Sequence, residues 1–179
     1  MIYMFLANGF EEVEALCPLD LIRRAGLEIK TVGVGGKNIT GSHGITVAAD
    51  MTEEEFKDSL PTAVILPGGM PGTTNLDASA TVHRALDDAK KCDALIAAIC
   101  AAPMILGKRG DLRGKEAICY PGFEKYLEGA TVSQGKVAID GKIITAAGMG
   151  VALDFGLALV AVLRSSEKAA ELRHAVIAD

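Results

Sequence analysis

The sequence predicts a parallel α/β sandwich, and three observations point to it. Short apolar runs of strand length alternate with stretches of helical periodicity along the whole chain. The runs are buried in character on both sides, so helices must cover both faces of the sheet. The chain has 179 residues, a length that implies one domain, residues 1–179, with a sizeable core. Glycine makes up 20 of 179 residues and aromatics only 4%, with no Trp. The core is therefore Ala, Val, Ile and Leu, and many turns are tight.

The elements follow in order. Ile2–Ala7 reads as the first strand, punctuated by Asn8-Gly9. Glu11 to Ala25 reads as a helix that Gly26 ends. Glu28–Val34 is the second strand. Lys37 to Ala49 holds several glycines and two β-like runs, which predict a hairpin on the sheet edge. Thr52-Glu53-Glu54-Glu55 has the form of a helix start, with Thr52 as cap and Glu55 closing a capping box. Ala63–Leu66 is a short buried strand, followed by the loop Pro-Gly-Gly-Met-Pro-Gly-Thr-Thr-Asn. Ser79 to Lys91 is helical, Ala94–Ala98 another buried strand, and Ala101 to Lys108 a helix. Glu116–Cys119 and Val137–Thr145 supply further strands, the latter turned at Asp140-Gly141. Gly148 to Arg164 and Ser166 to Ala175 close the chain as helices.

Composition excludes several classes. The net charge is −5 with no basic block, which argues against nucleic-acid binding, since phosphate backbones attract Lys/Arg-rich faces. The first residues lack a basic n-region and turn acidic early, unlike a signal peptide. The stretch from Ala146 to Leu163 is nearly apolar but carries Asp154 and three glycines; it reads as a buried helix rather than a membrane span. Cys17, Cys92, Cys100 and Cys119 form no CxxC pair and no zinc spacing. The expectation is a cytoplasmic protein with free thiols, and no acidic/His cluster points to a metal.

In open α/β sheets chemistry gathers outside the carboxyl ends of the strands. Three loops stand there. Cys100 follows the run Asp93–Ile99 and precedes Ala101-Ala102-Pro103. Pro103 fixes a helix start, so the cysteine sits at a strand-to-helix turn, the geometry of a nucleophile elbow. A helix start favours thiolate; the plainer reading is a small buried hydrophobe, and spacing alone does not separate them. The loop from Leu66 to Gly72 has two successive glycines that either aim N–H groups at an anion or relieve a tight turn. In the third loop, Glu11 and Glu12 fit the helix dipole. Glu14 differs: Pro18, four residues on, cannot donate to its carbonyl and predicts a kink there. His43 lies in the hairpin region, while His83 and His174 read as surface or structural residues. The fragments at 33–35 and 148–150 lack a dinucleotide-binding context.

GFEEVEA at 9–15, LPGG at 66–69 and AAICAAP at 97–103, with RRAG at 23–26 and DFGLALV at 154–160, together resemble the ThiJ/PfpI family, in the branch of the Parkinson-disease protein deglycase and its bacterial relatives. The resemblance implies a flavodoxin-like three-layer sandwich, a homodimer, and no cofactor. It implies that Cys100 is the reactive cysteine and Glu14 its carboxylic-acid partner, with Gly69 and Ala101 N–H groups forming an oxyanion or sulfinate pocket. The chain departs from the pattern at several positions. Tyr120 stands where many members have a His before the Pro that is here Pro121. Ala101 stands where peptidase-type relatives have His. Ala147-Gly148-Met149-Gly150 replaces an Arg followed by Gly-Pro-Gly, and Cys100-Ala101-Ala102 the usual Cys-Ala-Gly.

These features lead to a cofactor-independent cysteine enzyme acting on small reactive 2-oxoaldehydes, or on glycated thiols and amines. The expected resting state is a thiolate beside a protonated Glu14. Tyr120 and His43 are the candidates for orienting substrate. The alternative is an oxidative-stress sensor or chaperone using the same oxidisable cysteine. An intracellular peptidase or amidase would need a histidine base near Cys100, and only His43 or a partner subunit could supply one.

Overall fold

The first strand, β1 (Ile2–Ala7), shows why the sheet needs two layers of cover. All of it is buried, and its side chains alternate between two cores. Ile2, Met4 and Leu6 face one; Tyr3, Phe5 and Ala7 face the other. A strand with period-two side chains and no polar face must be packed on both sides.

The computed structural model describes residues 1–57 and 60–178. After β1 come α1 (Glu12–Arg24), β2 (Ile29–Val34), β3 (Asn38–Thr40), β4 (Thr46–Ala48), β5 (Met51–Thr52) and β6 (Ala63–Leu66). Then follow α2 (Gly72–Ala78), α3 (Ala80–Lys91), β7 (Leu95–Ile99), α4 (Pro103–Lys108), β8 (Glu116–Ala117) and β9 (Thr131–Val132). The chain closes with β10 (Val137–Asp140), β11 (Ile143–Ala146), α5 (Ala152–Leu163) and α6 (Ser166–Ala175). The main sheet has the order β10-β11-β7-β6-β1-β2-β5. It is parallel except where β10 runs against β11. One core takes α1, α5 and α6, and the other takes α2, α3 and α4. This is a flavodoxin-like three-layer sandwich. β2 and β6 flank β1 on opposite sides, so the loops after β1 and β6 diverge at a topological switch point, where such sheets open a crevice.

Several local expectations change. The hairpin β3–β4 forms, but as a separate two-stranded sheet; the edge of the main sheet is β5. The hairpin is drawn over the strand ends by Gly9 N–H to Thr40 O (2.8 Å) and Ser42 N–H to Phe10 O (2.8 Å). The capping box at 52–55 exists in part, since Thr52 N–H donates to Glu55 Oε2 at 2.8 Å. Yet Thr52 ends β5, and residues 53–55 make one turn only, because Phe56 is anchored against the Tyr3 and Phe5 rings. Residues 58 and 59 of that expected helix lie outside the described residues. Helix α2 stands where the sequence predicts loop: Gly-Thr-Thr-Asn are weak helix formers, and packing of Leu76 and Thr73 overrides them. Glu116–Cys119 gives only the two-residue β8, paired with β9 in a separate two-stranded sheet. Helix α5 starts late, after a 3₁₀ turn at Met149–Val151.

Helix α1 runs through Pro18 to Arg24, and Pro18 packs where α5 has Gly156. A Cβ there would meet Leu21 Cδ1 at 2.6 Å and Pro18 Cα at 3.0 Å. Gly156→Ala should therefore destabilise the protein by about 1–3 kcal/mol through overpacking, against the gain in helix propensity. Urea unfolding checks this, and a midpoint that stays or rises would contradict so close a contact of α1 with α5.

Candidate active site

Strand β7 ends at Ile99, and Cys100 turns the chain with φ +66°. A non-glycine residue held left-handed costs on the order of 1–3 kcal/mol. The surroundings hold it there. Cys100 N–H donates to Ala146 O at 2.9 Å, and Tyr120 N–H donates to Cys100 O at 2.8 Å. Ala97, Ala98, Ala101 and Ala102 are all buried, and only small side chains fit so sharp a turn. Pro103 opens α4 as expected. The elbow is real, though α4 is only six residues long, so individual N–H groups matter more than a macrodipole.

The loop after β6 closes on the elbow. Gly68 N–H donates to Glu14 Oε2 at 3.0 Å. A Cβ on Gly68 would lie 2.5 Å from that oxygen and 2.6 Å from Cys100 Cβ. Glycine is thus required by close approach. Gly69 is left-handed at φ +89°, and its N–H and that of Ala101 both point at the Cys100 sulfur. The loop after β1 is locked to the same place by Glu11 N–H to Gly68 O (2.9 Å) and Gly72 N–H to Gly9 O (3.1 Å). The structure therefore brings Cys100, Glu14, Gly69 and Ala101 together.

Glu14 is 1% exposed, and its Oε1 has no hydrogen-bond partner. A buried polar atom without a partner calls for a physical account. A Cβ on Gly148 would sit 3.9 Å from Oε1 and 3.3 Å from Tyr120 Cδ2. The unpartnered oxygen thus faces Gly148, against which the Tyr120 ring packs.

Burial pushes the Glu14 carboxyl up; hydrogen bonds from Cys100 and Gly68 pull it down, Glu11 repels it, and the balance is about 7. Burial also pushes the Cys100 thiol up, with the Glu14 charge and hydrogen bond adding to it. The Gly69 and Ala101 N–H groups oppose this without cancelling it, and the thiol rises to about 12. The expectation of a thiol lowered by the helix start is corrected: desolvation and the neighbouring carboxylate outweigh two N–H groups. The raised carboxyl is as expected. Between these limits the pair carries one negative charge and one shared proton, and it titrates as a unit.

His43 is elsewhere. Its ring Nδ1 lies 3.0 Å from Glu12 Oε2 and 3.5 Å from Glu11 Oε2, and it also meets Ser42. It does not hydrogen-bond Cys100. Glu12, read as a solvated dipole partner, is buried at 4% exposure. Its carboxylate accepts from His43 N–H at 2.8 Å and Ile45 N–H at 3.4 Å. Burial raises it, but these bonds and the His43 ring outweigh burial and hold it at about 2. Glu12 therefore clamps the hairpin to α1. The fold also gathers Glu11, Glu12 and His43 within 4.8 Å, a grouping that linear spacing did not show; the clamp accounts for it. A separate cleft of about 390 Å³ lies at the amino ends of β7 and β11. Its Lys90, Lys115 and Lys142 are paired with Asp111, Asp140 and Asp93, and it is remote from the elbow. Sequence reasoning missed Gly68 and Gly148 as site residues, although the paired glycines at 68–69 carried a signal for the first.

Comparison with known proteins agrees with this fold. Residues 1–162 match the DJ-1/PfpI family. The chain is 36% identical over 170 residues to Protein DJ-1 homolog B of Arabidopsis thaliana, covering 93% of this chain but only 39% of that longer protein. It is 35% identical to the Parkinson disease protein 7 homolog of Danio rerio, covering 97% of this chain and 95% of that one. It is 29% identical to the glutathione-independent glyoxalase DJR-1.2 of Caenorhabditis elegans, covering 88% and 85%. Among solved structures, oxidized Toxoplasma gondii DJ-1 superposes with a TM-score of 0.95 at 32% identity, covering 98% of this chain and 97% of that one.

The shared proton yields a pH prediction. Alkylation of Cys100 by iodoacetamide should rise with an inflexion near 7, where the pair loses its first proton. In Glu14→Gln that inflexion should vanish, leaving a single thiol titration below 12, since the carboxylate that raises the thiol is gone. Peptide mass spectrometry of Cys100 across the pH range reads this directly. The same inflexion persisting in the variant would remove the pair.

Proposed function

The chain belongs to the DJ-1/PfpI family, and we propose that within it this protein is a cysteine-dependent, cofactor-independent enzyme for reactive 2-oxoaldehydes or their adducts. The observation that carries the reading is the Cys100–Glu14 pair, one thiol and one carboxyl beside the N–H groups of Gly69 and Ala101. The glyoxalase relative supports the substrate class.

In this reading the Cys100 sulfur attacks the aldehyde carbon of methylglyoxal as the proton that the pair shares passes from the thiol to the Glu14 carboxylate. A C–S bond forms, and the carbonyl electron pair moves to oxygen, held by the Gly69 and Ala101 N–H groups. Glu14 protonates that oxygen and becomes the carboxylate that accepts the C1 proton. The resulting enediolate takes that proton back at C2 while the proton on O1 passes to O2, which gives a thioester of lactate. Water hydrolyses the thioester, returning the thiol and free lactate. Oxidation of C1 is balanced by reduction of C2, so the reaction needs no external redox partner. Tyr120, against Gly148 and near Glu14 Oε1, lines the space for the substrate. Deglycation would use the same groups on a glycated thiol or amine. A peptidase reading finds no support, because the His43 ring is committed to Glu11, Glu12 and Ser42.

Glutathione-free methylglyoxal consumption, with lactate quantified, tests this. Cys100→Ser should lose turnover by about 10³-fold or more, as expected for loss of a nucleophile. Lactate formed equally by the variant would end the proposal.

A second reading, a redox sensor, is favoured by one finding: a relative of nearly identical fold was solved oxidized. Here peroxide would supply the oxygen, converting the Cys100 thiol to a sulfinic acid in two steps with water released at each. Mild peroxide should then add 32 Da (about two oxygens) at Cys100 before Cys17 or Cys92, the other partly exposed thiols. Unselective oxidation across these cysteines would sink the sensor.

A further inference from the structure

Three half-exposed apolar residues belong to three loops that meet around Cys100, one from each. Met70 is 49% exposed, Tyr120 51% and Met149 53%. Each is within one residue of a group that touches the pair. Met70 follows Gly69, whose N–H points at the sulfur. Met149 follows Gly148, which lies between Glu14 Oε1 and the Tyr120 ring. Tyr120 donates its own N–H to Cys100 O at 2.8 Å.

The rim has a fixed wall and two adjustable sides. The Tyr120 ring is braced edge-on by Phe123, with centroids 6.4 Å apart. Thioether side chains adapt to the shape of what they cover and contact aromatic rings favourably. Apolar groups left this exposed beside a buried reactive pair gain most from an apolar substituent laid across them. The charges acting on the pair point the same way. Glu14 is the charge that acts on Cys100, and Glu11 the charge that acts on Glu14; both are carboxylates. No cation is among them to draw in an anion.

We propose that the Cys100 site selects neutral 2-oxoaldehydes with an apolar substituent larger than methyl, such as an aryl group, with Met70, Tyr120 and Met149 deciding that preference. Methylglyoxal is then the poorer substrate, and 2-oxo compounds bearing a carboxylate are excluded. This rests on the aldehyde reading above, so it needs a test that survives the failure of that reading.

The first arm is kinetic. kcat/KM for phenylglyoxal should exceed that for methylglyoxal by roughly 10-fold or more, the scale of discrimination an apolar contact provides. 4-Carboxyphenylglyoxal, an anionic 2-oxoaldehyde, should turn over least. The double variant Met70→Ser, Met149→Ser should reduce the phenyl-to-methyl ratio several-fold. The second arm needs no turnover. Alkylation of Cys100 itself, read by peptide mass spectrometry, should favour N-benzylmaleimide over N-methylmaleimide and iodoacetamide over iodoacetate. Both ratios are taken relative to glutathione, and the double variant should lose the benzyl preference. If no aldehyde is turned over but the alkylation ratios hold, the aldehyde enzyme falls and the selective rim stands. If aldehydes turn over with methylglyoxal equal or preferred, the enzyme stands and the rim is refuted. Faster iodoacetate would also overturn it, and would direct attention to Lys136, whose carbonyl accepts from Ala147 N–H beside the site.

Discussion

Everything at the carboxyl end of this sheet depends on one close approach, that of Gly68 to Glu14 and Cys100. There is no room for a Cβ at that point. The missing side chain lets the loop after β6 touch both the helix after β1 and the elbow after β7. Three segments far apart in sequence then share one contact. The Gly68 N–H fixes the carboxyl of Glu14, and Gly68 O in turn fixes the start of α1 through Glu11 N–H. The next residue, Gly69, is free to turn left-handed and aim its N–H at the sulfur. The strained φ of Cys100 persists because the strand on one side and Tyr120 on the other hold its backbone at both ends.

The same contact sets the electrostatics. Bringing a thiol and a carboxyl together in a buried place makes a second charge costly. Two N–H groups favour charge on sulfur but do not overcome burial. The result is a pair that holds one charge and one proton between them. Glu12 and Glu14 lie on the same helical turn and meet opposite fates. Glu12 accepts several N–H bonds from the hairpin and is held ionised; Glu14 accepts fewer, keeps one oxygen free, and is raised. The number of donors each carboxylate meets decides its role.

Much of this was legible in the linear chain. Apolar runs alternating with helical periods gave the two-layer cover of the sheet, and β6, β10, β11 and α6 fall where the pattern placed them. Pro103 after Cys100 marked the elbow because proline is confined to a helix start. The paired glycines after β6 marked a tight loop. Elements that failed did so for stated reasons. Helix α2 has poor intrinsic formers and is made by packing, whereas the capping box at 52–55 is cut short by the burial of Phe56. Local preference is weaker than a core contact worth a few kcal/mol, about 1.5–3 for a buried large side chain.

By itself the sequence determined the class of fold and marked Cys100 and Glu14 as candidates, because periodicity and residue chemistry are local properties. It also marked where the chain turns. Only the tertiary structure decided which groups meet: that His43 serves Glu12 rather than Cys100, that Glu14 keeps a free oxygen beside Tyr120, and that the hairpin leaves the sheet edge to lie over the strand ends. The physical reason is that desolvation and close approach are properties of neighbours brought together from distant positions. The ionisation of Cys100 depends on how many donors and charges surround it in space, and no spacing along the chain encodes that number.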